Sequence, residues 1–173
     1  MSTNICFTYP WATFGGCERV FINRAMAFKR YLPGVKVDFF FLSDGGGLKS
    51  FDAALKKYGL QDVASIATSL DRSYELVSLV DCPQLFSALN ATKQKYIVEC
   101  HTGYVENRQY LKNLPAECRA VAAPTLRFCG LLRGELPHSS ASFAQRESKP
   151  NQAAALTTQA PAAMLFEVIG LKG

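Results

Sequence analysis

Long apolar runs are missing from this chain. No stretch reaches the roughly 18 apolar residues that a bilayer-spanning helix requires. Met1-Ser2-Thr3-Asn4 places no basic region ahead of the first apolar run, so a secretory signal is not expected. Six cysteines are present, yet no two are spaced Cys-x-x-Cys. That removes the usual zinc and thioredoxin patterns, and no metal site is expected. Cys6, Cys100 and Cys118 lie in or beside apolar runs and read as small buried hydrophobes of a reduced, cytoplasmic protein. Lysine and arginine form no dense run, so nucleic acid is not an expected partner. The net charge of +5 is modest. It suits phosphorylated ligands and a loose peripheral contact with anionic membrane surfaces. Charged residues make up only 19% against 49% hydrophobic, so a sizeable core can be buried and wholesale disorder is excluded. There is no internal repeat.

What is there begins in the first thirty residues. Ile5-Cys6-Phe7-Thr8-Tyr9 has the length of a buried strand. Pro10 is expected to end it, since proline has no N–H for a sheet ladder. Cys17, Val20, Phe21, Ala25, Phe28 and Leu32 then fall on one helical stripe, with Glu18, Arg19, Asn23, Lys29 and Arg30 mostly opposite. Gly15 and Gly16 stand where the strand turns into the helix. Glycine there lets another molecule approach the main chain, and the first N–H groups of a helix point outward at its positive end. The pair is a tight turn or a phosphate loop, and the residues alone allow both.

Strand and helix signals alternate thereafter. Val35 to Leu42 follows the turn Pro33-Gly34 and reads as a strand. Ser43 to Gly47 reads as a flexible loop, and Leu48 to Tyr58 as a helix. Asp62 to Ala67 and Glu75 to Val80 are strand candidates. Asp81 is a plausible N-cap for a helix from Pro83 to about Asn90. A strand at Lys95 to Cys100 ends at His101-Thr102-Gly103-Tyr104. A helix from about Glu106 to Asn113, a strand at Arg119 to Ala123 and a helix from Pro124 to about Arg133 complete the pattern. The expected fold is α/β, a parallel sheet with right-handed crossovers and helices on both faces. Ile5, Phe7, Val37, Phe39, Val77, Ile97 and Val121 should lie buried in it. In such sheets ligands bind beyond the carboxyl ends of the strands.

Several of these segments resemble the amino-terminal domain of family-four glycosyltransferases, which have the GT-B fold of two Rossmann-like domains. Gly15-Gly16-Cys17-Glu18-Arg19 matches that family's Gly-Gly-x-Glu-Arg loop. Ile97 to Gly103 is similar to its strand ending in His, and Val121-Ala122-Ala123-Pro124-Thr125 to its strand leading to Pro-Ser/Thr. Lys149-Pro150-Asn151-Gln152 weakly matches its Pro-Asn pair, and Met164 to Gly173 looks like a degraded start of the second domain without its Arg. The resemblance covers Asn4 to Arg133. It implies a Rossmann-like acceptor-side domain at 1–135 and, at 163–173, the first strand of a truncated carboxyl-terminal domain, while 136–162, rich in Ser, Ala, Gln, Thr and Pro, reads from its composition as a poorly ordered linker. The implied activity moves a sugar from a nucleotide-sugar donor, a substrate and not a cofactor, to a saccharide or lipid-linked acceptor. The family's donor-binding motifs do not fall within these 173 residues, so the chain alone is expected to be inactive.

The resemblance also assigns residues. His101 becomes the catalytic candidate; on general grounds it is equally a polar residue fixed by backbone hydrogen bonds. Gly15 and Gly16 would bind the donor phosphate. Glu18, Asp44 and Thr102 would bind substrate, although a solvated first turn suits Glu18 and Arg19, and a loop cap suits Asp44. Tyr9, Trp11 and Phe14 are placed to stack on an acceptor or simply to pack. Gly16 and His101 are expected to face one cleft. Two rival readings remain. A nicotinamide-binding oxidoreductase lacks its Gly-x-Gly-x-x-Gly, since no glycine follows Gly16 until Gly34, and Asp38 lies inside a strand. A non-catalytic Rossmann-like binding module or inactive gene fragment is the other.

Overall fold

The computed structural model describes residues 3–123 in full and the backbone of 141–142 and 167–171. The elements are β1 (Thr3–Trp11), α1 (Gly16–Tyr31), β2 (Val35–Ser43), α2 (Leu48–Lys57), β3 (Ala64–Ala67) and β4 (Leu76–Val80). A 3-10 turn (Pro83–Leu85) then runs into α3 (Phe86–Ala91), followed by β5 (Tyr96–Glu99), a 3-10 segment (Val105–Asn113) and β6 (Cys118–Ala123). Two further strands, β7 (Ala141–Ser142) and β8 (Glu167–Leu171), end the described chain. The sheet order is β3-β2-β1-β4-β5-β6-β8-β7. The first six strands are all parallel. β8 runs antiparallel to β6, and β7 antiparallel to β8. The expected Rossmann-like α/β fold is therefore present.

Strand alternation explains the two-sided core. On one face Phe7, Val37, Phe39 and Ala64 meet Phe21, Ile22 and Ala25 of α1 and Phe51, Ala54 and Leu55 of α2. On the other, Cys6, Val77, Leu79, Val98 and Val121 meet Leu85, Leu89 of α3 and Leu111 of the 3-10 segment. Phe39 stacks on Phe21 at 5.3 Å and meets Phe51 edge-on at 5.1 Å. Each such pair is worth about 0.5–1.5 kcal/mol beyond the area it buries. Of the expected core residues, Phe7, Val37, Phe39, Val77 and Val121 are buried; Ile5 and Ile97 are partly exposed. Cys6, Cys100 and Cys118 are buried free thiols, as their apolar neighbours suggest.

Four local expectations need correction. Pro10 does not end β1, which continues to Trp11. β4 pairs with β1 only as far as Leu79 opposite Thr8, so the missing proline N–H falls where β1 has lost that neighbour. Asp81 is not a helix cap: it has a left-handed φ of 45°, and its carboxylate accepts the His101 N–H at 3.0 and 3.1 Å. The segment after Tyr104 is 3-10 and kinked at Arg108, not α-helical. Leu111 is its only buried apolar residue, and Arg108 turns back to donate to the Gly103 carbonyl at 2.9 Å. Finally, Ser43 to Gly47 is anchored: the Gly47 N–H donates to the Ala12 carbonyl at 2.7 Å. The helix expected from Pro124 to Arg133 and most of the expected linker at 136–162 lie outside the described residues. The strand expected within 163–173 joins the same sheet, beside β6.

Candidate functional site

The sheet order reverses between β1 and β4. From β1 the chain leaves through α1 towards β2, while β4 lies on the opposite side. Doubly wound sheets open a crevice at that point, at the carboxyl ends of their strands. Four segments follow the strands at that edge: Ala12 to Gly15 after β1, joined to Asp44 to Gly47 after β2 through the Gly47–Ala12 bond, and Asp81 after β4, joined to Cys100 to Tyr104 after β5 through the His101 N–H. Two non-glycine residues at this edge, Phe14 at φ 61° and Asp81 at φ 45°, hold left-handed backbone, a conformation costing about 1–3 kcal/mol each that tends to gather at functional sites.

The first loop is organised by Glu18, which is only 1% exposed. Its carboxylate accepts the N–H groups of Thr13 (2.7 Å), Phe14 (2.9 Å) and Gly15 (2.8 Å) and the Thr13 hydroxyl (3.1 Å). Burial pushes its pKa up, but these donors outweigh it and the carboxyl is held below its ordinary value. A solvated first turn is thus not what Glu18 forms; it pins the loop from inside. The loop N–H groups it occupies are closed to an anion. The first-turn N–H groups of Gly16 and Cys17 are those a helix leaves without internal partners. A side chain at Gly16 would meet open space. Arg19, beside it, is exposed.

His101 stands at the carboxyl end of β5 in a chain of polar contacts. Its Nε2 lies 3.3 Å from Glu99 Oε2, and its Nδ1 lies 3.9 Å from the Cys17 sulfur. Glu99 is 3% exposed. It accepts a two-pronged pair of bonds from Arg24 at 2.8 and 2.7 Å, and another from the Ser78 hydroxyl. Burial works against the Glu99 charge, yet His101, Arg24 and Ser78 together bring its pKa down to about 2. Burial likewise disfavours imidazolium at His101, but the contacts with Cys17 and Glu99 prevail and raise it to about 9. Asp81, which takes the His101 N–H, is itself shifted upward by burial.

The remaining sequence candidates divide. Thr102 is adjacent, its hydroxyl accepting the Tyr104 N–H at 3.4 Å. Asp44 caps its own loop, accepting from Gly46 at 2.8 Å and Leu48 at 3.1 Å. Trp11 is 56% exposed at the end of β1. Tyr9 packs edge-on against Phe21 at 6.3 Å, and Phe14 packs on the same core. Gly15 closes onto Thr13 and Glu18, and Gly16 precedes Cys17, whose sulfur reaches His101. Asp38 is 8% exposed and bonds Ser65, Arg72 and Tyr74 from within β2. Sequence reasoning missed Arg24, Ser78, Glu99 and the Cys17–His101 contact. A glutamate inside a strand buried on both faces was the one available signal for the first three.

The shifts carry a testable sign. His101 has a folded pKa of about 9 against an ordinary 6.5, so its stabilisation is complete below pH 6.5 and is lost as pH rises to about 9. Glu99, lowered from 4.5 to about 2, stabilises above pH 4.5 and stops doing so as pH falls to about 2. Urea unfolding between pH 6 and 9 should show a loss on the order of 2 kcal/mol, and His101→Gln should flatten that slope. An equally steep slope in the variant would exclude His101 as its source.

The chain matches no protein-family model, no curated protein and no solved structure. Among the described residues no helix is long and apolar enough to cross a membrane.

Proposed function

We propose that this chain supplies the acceptor-side domain of a family-four-like glycosyltransferase. Completed by a donor-binding domain, it transfers a sugar from a nucleotide-sugar donor to a saccharide or lipid-linked acceptor. The observation that carries this reading is the 3.9 Å contact between His101 Nδ1 and the sulfur of Cys17, the residue that follows Gly15-Gly16, at the point where the sheet order reverses. The donor phosphate would meet the N–H groups of Gly16 and Cys17 at the positive end of α1. His101 is held protonated through neutral pH, so its part is to set positive charge beside the leaving phosphate and not to abstract a proton. The exposed ring of Trp11 at the rim suits the apolar face of a sugar.

The test needs a protein in which a donor-binding domain follows these residues. There, Gly16→Val should weaken donor binding without unfolding, because the added carbons enter open space. His101→Ala should lower turnover by about 10²-fold. The 173-residue chain by itself should give no transfer. Unchanged turnover in His101→Ala, or robust transfer by the chain alone, would sink the reading. A non-catalytic Rossmann-like module is the second reading, favoured by the way Glu18 occupies three loop N–H groups from within.

A further inference from the structure

We propose that Cys17 is a reactive thiol and a site of peroxide modification, activated by the His101–Glu99 pair. The inference does not depend on sugar transfer. Its basis is the succession Cys17 Sγ, His101 Nδ1, His101 Nε2 and Glu99 Oε2, with contacts of 3.9 and 3.3 Å. Glu99 is fixed in turn by Arg24 and Ser78, so the imidazole cannot swing away from the sulfur without breaking a buried ion pair.

Position reinforces this. Cys17 is the second residue of α1, at the positive end of a helix of 16 residues. The thiolate is the nucleophile, and here both the His101 ring and the helix N-terminus face the sulfur. Cys17 is also partly exposed, whereas Cys6, Cys82, Cys100 and Cys118 are buried. Burial pushes those four thiols up, to about 12, 12, 12 and 11. Among the described cysteines Cys17 alone combines access with a cationic neighbour. The titratable group in contact with it is His101, behind which stand Glu99 and Arg24, and Tyr9 is electrostatically coupled to it.

The chemistry closes with a peroxide as oxidant. The Cys17 thiolate attacks one oxygen of hydrogen peroxide; an S–O bond forms and the O–O bond breaks. The sulfur loses two electrons to the peroxide, the departing hydroxide takes the His101 Nδ1 proton as water, and sulfenic acid remains on Cys17. A peroxide fits this site better than an alkylating electrophile, because its leaving oxygen needs the proton that His101 holds against the sulfur.

The test uses the intact chain with hydrogen peroxide and dimedone at pH 7, read by fragment mass spectra that separate Cys17 from Cys6. Cys17 should be trapped about tenfold faster than free glutathione, and His101→Asn should lower its rate about tenfold. A Cys17 rate at or below that of glutathione, or one unmoved in a folded His101→Asn chain, overturns the proposal. Labelling of the four buried cysteines would reveal a variant that has opened. In that event Cys17→Ser decides, read by NMR of the His101 ring: its titration midpoint should fall by at least about one pH unit. A midpoint that stays at about 9 rejects the pair.

Discussion

Glu99→Ala is expected to destabilise the fold by about 3–5 kcal/mol, the range for removing one partner of a buried ion pair. The reason is what remains. Arg24, whose side chain is 12% exposed, would keep its guanidinium between α1 and the sheet with both of its carboxylate bonds gone. The Ser78 hydroxyl and the His101 ring would each lose an acceptor. Arg24 also lies over the Phe7 ring at 4.8 Å from its centre, so it cannot leave for solvent without uncovering the aromatic core. A double-mutant cycle with Arg24→Met, followed by urea denaturation, isolates the pair. Near-additive losses in that cycle would mean that the two side chains hold the sheet independently.

Gly47→Ala should be nearly as damaging, at about 3 kcal/mol or more. A Cβ there would sit 2.4 Å from the Thr13 carbonyl carbon, 2.5 Å from the Phe14 nitrogen and 2.7 Å from the Ala12 oxygen. All three are backbone atoms, so no side chain can rotate aside. The only relief is to separate the loops after β1 and β2, which would also stretch the bond from the Gly47 N–H to Ala12. Gly16→Ala is the control: its Cβ meets nothing within 4 Å, and alanine is the better helix former. Thermal melts of the two variants should differ widely; a Gly47→Ala protein as stable as Gly16→Ala would show that the loops do not meet this closely.

These two variants also mark where sequence reading succeeds and stops. The alternation of elements was legible because parallel strands are covered on both faces and so appear as nearly continuous apolar runs, such as Val37 to Phe41 and Val77 to Val80, interrupted only by Asp38 and Ser78. The placing of the glycine loop and His101 at one edge follows from the same pattern. Partnerships across the sheet were not legible. Arg24 and Glu99 are 75 residues apart, and nothing local to either one names the other. Glu18 sat on the polar side of a helical pattern, and only the loop's inward curl puts its carboxylate beneath three N–H groups. Gly47 looked like one of three flexible glycines, yet it is buried where two loops touch. Periodicity reports which face of an element is covered and not which atom covers it. The segment from Val105 to Asn113 shows the same limit: its spacing allowed an α-helix, and a single buried leucine was too little to hold one.

The central position of β1 also sets a timetable. β1 is made first, and β2 follows closely enough to pair with it while α1 covers their shared face. Its other neighbour comes much later: Ser78 of β4, whose carbonyl accepts the Thr8 hydroxyl, lies 70 residues downstream. At ordinary rates of translation that delay is on the order of ten seconds. For that interval the edge of β1 that β4 will pair, from Ile5 to Thr8, has no strand beside it, and Cys6 lacks its apolar neighbours Val77 and Leu79. The strand around which the finished sheet is built is thus the one that waits longest for its second partner, with an unpaired edge of the kind that can pair with another chain.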